Sequence, residues 1–119
     1  MLVLAIDTAT KIGSVALYDD KVGVLGELNL YIKVNHSAII MSMIDNLFKM
    51  TKLSIKDVDR IAVTVGPGSF TGIRIGVAVA KGLCYGTNKS IVGINELDLL
   101  ANNLEAFEGT VVPLIYARK

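Results

Sequence analysis

The stretch from Ile61 to Gly86 constrains the fold more than any other: IAVTV, then GPGSFTG, then IRIGVAVAKGLCYG. The first five residues read as a buried strand. Gly66-Pro67-Gly68 then breaks it, because glycine supplies backbone angles other residues avoid and proline fixes one. Ser69 or Thr71 caps a helix predicted to run on to Gly86. A strand, a glycine-rich turn and a helix can aim backbone N–H groups at an anion. Neither common phosphate motif fits, however. No Gly-Lys-Ser/Thr follows the loop, and Gly66, Gly68 and Gly72 are spaced G-x-G-x-x-x-G, one residue longer than the dinucleotide fingerprint.

Beyond its first turn, this helix carries polar side chains only at Arg74, Lys81 and Tyr85, on one narrow strip. Gly72, Gly76 and Ala80 stack at four-residue spacing and allow another backbone to approach. Arg74 and Lys81 interrupt the run well short of the roughly 20 apolar residues a membrane span needs. A helix apolar nearly all round must be covered on nearly all sides. The helix expected from an Asn35 cap to about Met50 repeats the pattern. Ile39, Ile40, Met43, Ile44, Leu47 and Phe48 form a stripe that Met41 and Met50 widen to about half the circumference, against roughly 100° for seating one face on a sheet. The arc is either a generously packed core or, as preferred here, partly the contact with another molecule.

Composition agrees with an incompletely covered domain. The chain has 119 residues, enough for one domain, and 52% are hydrophobic, with a mean hydropathy of +0.55. Such an excess suits a domain cut from a larger chain, or one half of a complex. Net charge is +1, with no basic run, so direct nucleic-acid binding has no electrostatic signature. The single cysteine, Cys84, excludes an internal disulfide and suits a reducing compartment. Leu2–Ile6 is too short for a signal peptide, and a cytoplasmic location is expected.

In chain order, strands are expected at Leu2–Ile6, Gly13–Tyr18 and Val22–Leu30, the last bulged at Gly23 and Gly26. Ser54 and Asp57 resemble a capped turn before a strand at Arg60–Val65. Ile91–Ile94 is a fifth strand, Asn95 caps a third helix through about Phe107, and Thr110–Ala117 is a sixth strand. The order implies an α/β layer in which an antiparallel meander joins parallel strands.

The polar residues offer little catalysis. His36 is the only histidine, so neither a His pair for a metal nor a relay exists; at a helix start it caps or packs. Asp7, at a strand end, either holds a metal-bound water or a phosphate, or caps its turn. Ser69 has no general base near it in sequence. Glu96 and Asp98 are two apart on a helix and point to different sides, so they form no carboxylate pair. No metal and no cofactor are expected, and Asp7, Thr8, Gly66 and Gly68 are the weak candidates for nucleotide binding.

LAIDTAT, SVALYD, the helix beginning NHS and above all GPGSFTGIRIGVAVAKGL resemble the TsaB (YeaZ) family along the whole chain. That family is the non-catalytic partner in bacterial synthesis of the threonylcarbamoyl group (t6A) on tRNA. The resemblance implies a lobe of the actin/sugar-kinase/Hsp70-like (ASKHA, ribonuclease H-like) superfamily: a mixed five-stranded sheet with flanking helices, in the order βββαβαβ(α)β. Residues 1–109 would be the first lobe and 110–119 the start of the first strand of a second lobe that the chain lacks. There TVVPLIYARK carries Tyr116 where the family has an aspartate.

The resemblance also implies an inactive relative of the TsaD-type transferase. That enzyme's His-x-x-x-His metal pair falls on Ile94 and Asp98 here, and the Asp7-Thr8-Ala9-Thr10 turn lacks the glycine of many superfamily phosphate loops. The implied role is a scaffold that pairs through its helices with the TsaD-type transferase, is joined by a TsaE-type ATPase, meets tRNA only within that complex and forms a homodimer when isolated. The expected contact set is His36, Ile40, Met43, Ile44 and Leu47 on the first helix, with Gly72, Arg74, Gly76 and Ala80 on the central one. The alternatives are a nucleotide-binding or -hydrolysing ASKHA enzyme and, last, a glycoprotease-type peptidase.

Overall fold

The computed structural model describes residues 1–87 and 89–102. Five strands, β1 (Leu2–Asp7), β2 (Ile12–Asp19), β3 (Gly23–Tyr31), β4 (Arg60–Gly66) and β5 (Ser90–Asn95), form one sheet in the order β3-β2-β1-β4-β5. The first three make an antiparallel meander, while β4 and β5 add in parallel on the other side of β1. Helices α1 (His36–Thr51) and α2 (Phe70–Cys84) connect the meander to β4 and β4 to β5, and α3 (Glu96–Asn102) follows β5. The mixed ASKHA-like architecture expected from the sequence is what the chain adopts. The expected end of the third helix at Phe107, the sixth strand at Thr110–Ala117 and Tyr116 lie outside the described residues.

Strand alternation explains where the core sits. Leu4 and Ile6 of β1, Val15 and Leu17 of β2, and Ile61 and Val63 of β4 share one face and are sealed beneath α1 and α2. On the reverse face, Ala5 lies between Ala16 and Ala62. The expected bulge in the third strand is present: the register slips between Leu17 and Tyr18, whose partners are Gly26 and Val24. Ser54 donates its backbone N–H to Asp57 Oδ2 at 2.8 Å, closing a single 3-10 turn, Ile55–Asp57, ahead of β4.

Two helix boundaries differ from expectation. Asn35 does precede α1, but in the left-handed region (φ 57°) and with no side-chain cap; its carbonyl accepts from Ile39 N instead. Asparagine tolerates that conformation, so the residue is chosen for its backbone and not for its side chain. Of the two candidate caps for α2, Ser69 does the work, its Oγ accepting from Gly72 N at 3.2 Å. Removing that acceptor with Ser69→Ala is expected to cost about 1 kcal/mol, read as a small drop in the urea midpoint without loss of fold. The helix ends at Cys84, two residues short of Gly86. Among the described residues no helix is long and apolar enough to cross a membrane.

The expected contact set requires a larger correction. Ile40, Met43, Ile44 and Leu47 are the inward face of α1 and belong to the chain's own core. Gly72, Gly76 and Ala80 are the inward face of α2. What approaches them is the chain's own turn at Thr8, whose backbone carbonyl meets Gly72 and whose side chain meets Gly76. A sheet carrying both helices on one face buries the middle of each apolar arc, and only the flanks of the arcs are left outside.

Candidate functional site

Two places concentrate the residues that sequence reasoning selected. One lies at the carboxyl ends of β1, β4 and β5, where Asp7, Thr8, Gly66, Gly68 and Ser69 converge. Thr64 Oγ1 and Ala9 N both donate to Asp7 Oδ1 at 3.0 Å. Thr8 Oγ1 donates to the Gly72 carbonyl at 2.6 Å, and Ser69 N donates to the Ala9 carbonyl at 2.7 Å. A side chain at Gly72 would collide with the Thr8 carbonyl, and one at Gly68 with Ala9. The glycines of GPGSFTG therefore admit the chain's own β1–β2 turn. Where a phosphate loop offers free N–H groups, this loop spends Ser69 N on Ala9. Asp7 meets the demands of its own turn, as a capping reading requires.

Glu96, which the sequence reading weighed only against Asp98 and found to form no carboxylate pair with it, proves to belong here. Glu96, at the start of α3, is only 2% exposed, and its Oε2 has no hydrogen-bond partner. Burial, then the hydrogen bond and the charge of Asp7, push its carboxyl from an ordinary value of 4.5 up to about 7. Asp98 is exposed and takes no part. The pairing of Glu96 with Asp7 joins residues from opposite ends of the described chain, which no local spacing could reveal. Thr64 did carry a signal, as the one polar residue in IAVTV. Among the described residues, no group of three or more His, Cys, Asp or Glu side chains is placed to share a metal ion.

The second place is open. Between the outer flanks of α1 and α2 runs a groove of about 690 Å³, lined by Ser37 and Met41 from α1 and by Thr71, Arg74, Ala78 and Leu83 from α2, among others. Met41 is 43% exposed and Phe70, at the head of α2, 74%. The Arg74 guanidinium sits 5.4 Å from the Phe70 ring centroid, a cation–π arrangement at the rim. Of the expected contact residues, Arg74 alone is exposed; His36 is half-buried and does not line the groove. Met41, expected only to widen the arc, and Ala78 were left out of the contact set because an apolar arc does not show which flank turns outward.

Comparison with known proteins places this geometry. The family model described as "TsaD: tRNA N6-adenosine threonylcarbamoyltransferase" matches residues 21–119. The tRNA threonylcarbamoyladenosine biosynthesis protein TsaB of Bacillus subtilis (strain 168) is 36% identical over the whole chain and 52% of its own length. The chain belongs to the TsaB (YeaZ) family. The TsaB protein of Escherichia coli (strain K12) is also 36% identical, over 85% of this chain and 43% of its own. The solved structure of YeaZ from Pseudomonas aeruginosa superposes with a TM-score of 0.80 at 30% identity, covering 88% of this chain and 48% of that one. The chain thus spans about half the length of the TsaB relatives it matches.

Proposed function

We propose that this chain is the helix-bearing lobe of a TsaB-type protein that serves t6A synthesis on tRNA as a non-catalytic subunit. It pairs with a TsaD-type transferase through the outer flanks of α1 and α2. The observation that carries this reading is the α1–α2 groove, where Met41 and Ala78 are left to solvent beside a cation, Arg74, set against the Phe70 ring. A pliable methionine, an aromatic and an arginine on one rim are the residue types that anchor protein contacts. A TsaE-type ATPase joins the pair, tRNA is met only by the assembly, the assembly works in the cytoplasm, and in isolation the lobe self-associates through the same flanks. The self-filled glycine turn counts against nucleotide chemistry on this chain, and the absence of a serine–base pair in the sequence counts against a peptidase.

Ala78→Glu places a charge in the groove without touching the core. It is expected to weaken binding to a TsaD-type transferase about tenfold or more, read by gel filtration and calorimetry, with an unchanged circular dichroism spectrum. Unaltered pairing by the folded variant would sink the interface. ATP turnover by the isolated chain would sink the non-catalytic role.

A further inference from the structure

Among the described residues, Glu96 Oε2 is the one buried side-chain oxygen that the fold leaves without a partner. Its carboxyl lies within hydrogen-bonding reach of Asp7, and Asp7 is held in place by two donors, Thr64 Oγ1 and Ala9 N. Two carboxylates cannot stay ionised against each other out of water at low cost, whereas one proton between them makes a strong hydrogen bond. We infer that protonated Glu96 donates to Asp7 and so acts as a latch that seats the start of α3 on the carboxyl ends of β1 and β4, closed when Glu96 holds its proton and loosened when it gives it up.

Among the described residues the surroundings contain no competing charge. β1 contributes Asp7 alone, β5 has no charged residue, and the one charged residue of β4, Arg60, stands at the strand's opposite end. Thr64 is neutral and engaged with Asp7. Asn95 accepts from the N–H groups of Leu97 and Asp98, and Asp98, on α3 itself, is exposed. Asp7 is the one charged group acting on Glu96 among the described residues.

The sign follows from a carboxyl raised on folding. The folded chain holds the Glu96 proton more tightly than the unfolded chain, so the latch contributes fully below about 4.5 and its contribution is lost as the pH rises to about 7. A shift between those values corresponds to at most about 300-fold in the linked equilibrium.

Urea unfolding of the 119-residue chain and of Glu96→Gln, from pH 5 to 8.5 in chelator, tests the latch. The glutamine amide donates to Asp7 at every pH. Wild type should lose stability across the window, while Glu96→Gln should lose much less and exceed wild type at pH 8.5. The background from all other groups is common to both. Carbon-detected NMR of the wild-type Glu96 carboxyl should show a midpoint near 7, and corrected amide exchange should show α3 opening as that carboxyl ionises. This arm stands even if the variant fails to fold. An ordinary carboxyl midpoint, an identical pH slope in Glu96→Gln, or α3 protection indifferent to pH would each overturn the latch. So would saturable stabilisation of wild type by Mg²⁺ or Mn²⁺ at pH 8.5 that Glu96→Gln abolishes, since the pair would then hold a cation in place of a proton.

Discussion

Gly76→Leu is expected to unfold the chain, with loss of the far-ultraviolet circular dichroism signal or a collapse of the urea midpoint. The space a side chain would need at Gly76 is taken by the Thr8 hydroxyl, which is itself bound to the Gly72 carbonyl at 2.6 Å. Leucine must evict the β1–β2 turn, so overpacking adds to the loss of a buried hydrogen bond. The combined cost is roughly 3 kcal/mol or more, a large part of a small domain's stability. Gly82 provides the control on the same helix, because nothing lies near the position its side chain would take. Gly82→Ala should be neutral or stabilising by up to about 1 kcal/mol through helix propensity. A Gly76→Leu variant that melts like wild type would mean that the Thr8 turn does not pack on α2.

Ile40→Ala should destabilise the isolated chain by about 2–5 kcal/mol, whether or not any partner is present. Ile40 is 0% exposed and packs in the central cluster with Leu4, Leu17 and Ile61. Truncation there removes apolar contact and leaves a cavity that the close-packed sheet cannot fill by moving. The adjacent Met41 lies on the outer flank, and Met41→Ala should change stability by no more than about 0.5 kcal/mol. The pair separates core from surface on α1 by urea denaturation alone. A near-neutral Ile40→Ala would restore Ile40 to the list of exposed contact residues.

These outcomes bear on how much could be read without coordinates. Each strand and helix of the described chain was legible, because alternation in LVLAID and IAVTV and the breaks at Gly66-Pro67-Gly68 are local signals. Small offsets at element ends, such as α2 stopping at Cys84, reflect closing hydrogen bonds that propensity does not register. The apolar and small members of the contact set fell in the chain's own core for a different reason. Sequence correctly marked α1 and α2 as more apolar than one sheet face requires, but it could not tell the flank that faces inward from the flank that faces out. The most apolar positions, Ile40, Ile44 and Leu47, went to the chain's own core, and the milder Met41 and Ala78 were left for solvent.

By itself, then, the sequence determined the element order, the mixed sheet, the family and the excess of apolar residues on two helices. Those properties depend on residue type, periodicity and short-range spacing, all of which survive in a linear string. Tertiary structure alone decided three things: that Gly72 and Gly76 receive the Thr8 turn, that Arg74 is stacked beside Phe70 at the groove, and that Glu96 meets Asp7. The last pair comes together only because β1 and β4 are hydrogen-bonded in parallel and β5 delivers α3 to their carboxyl ends. Burial in that corner gives an ordinary glutamate its altered acidity, since the cost of a charge depends on what surrounds it in space.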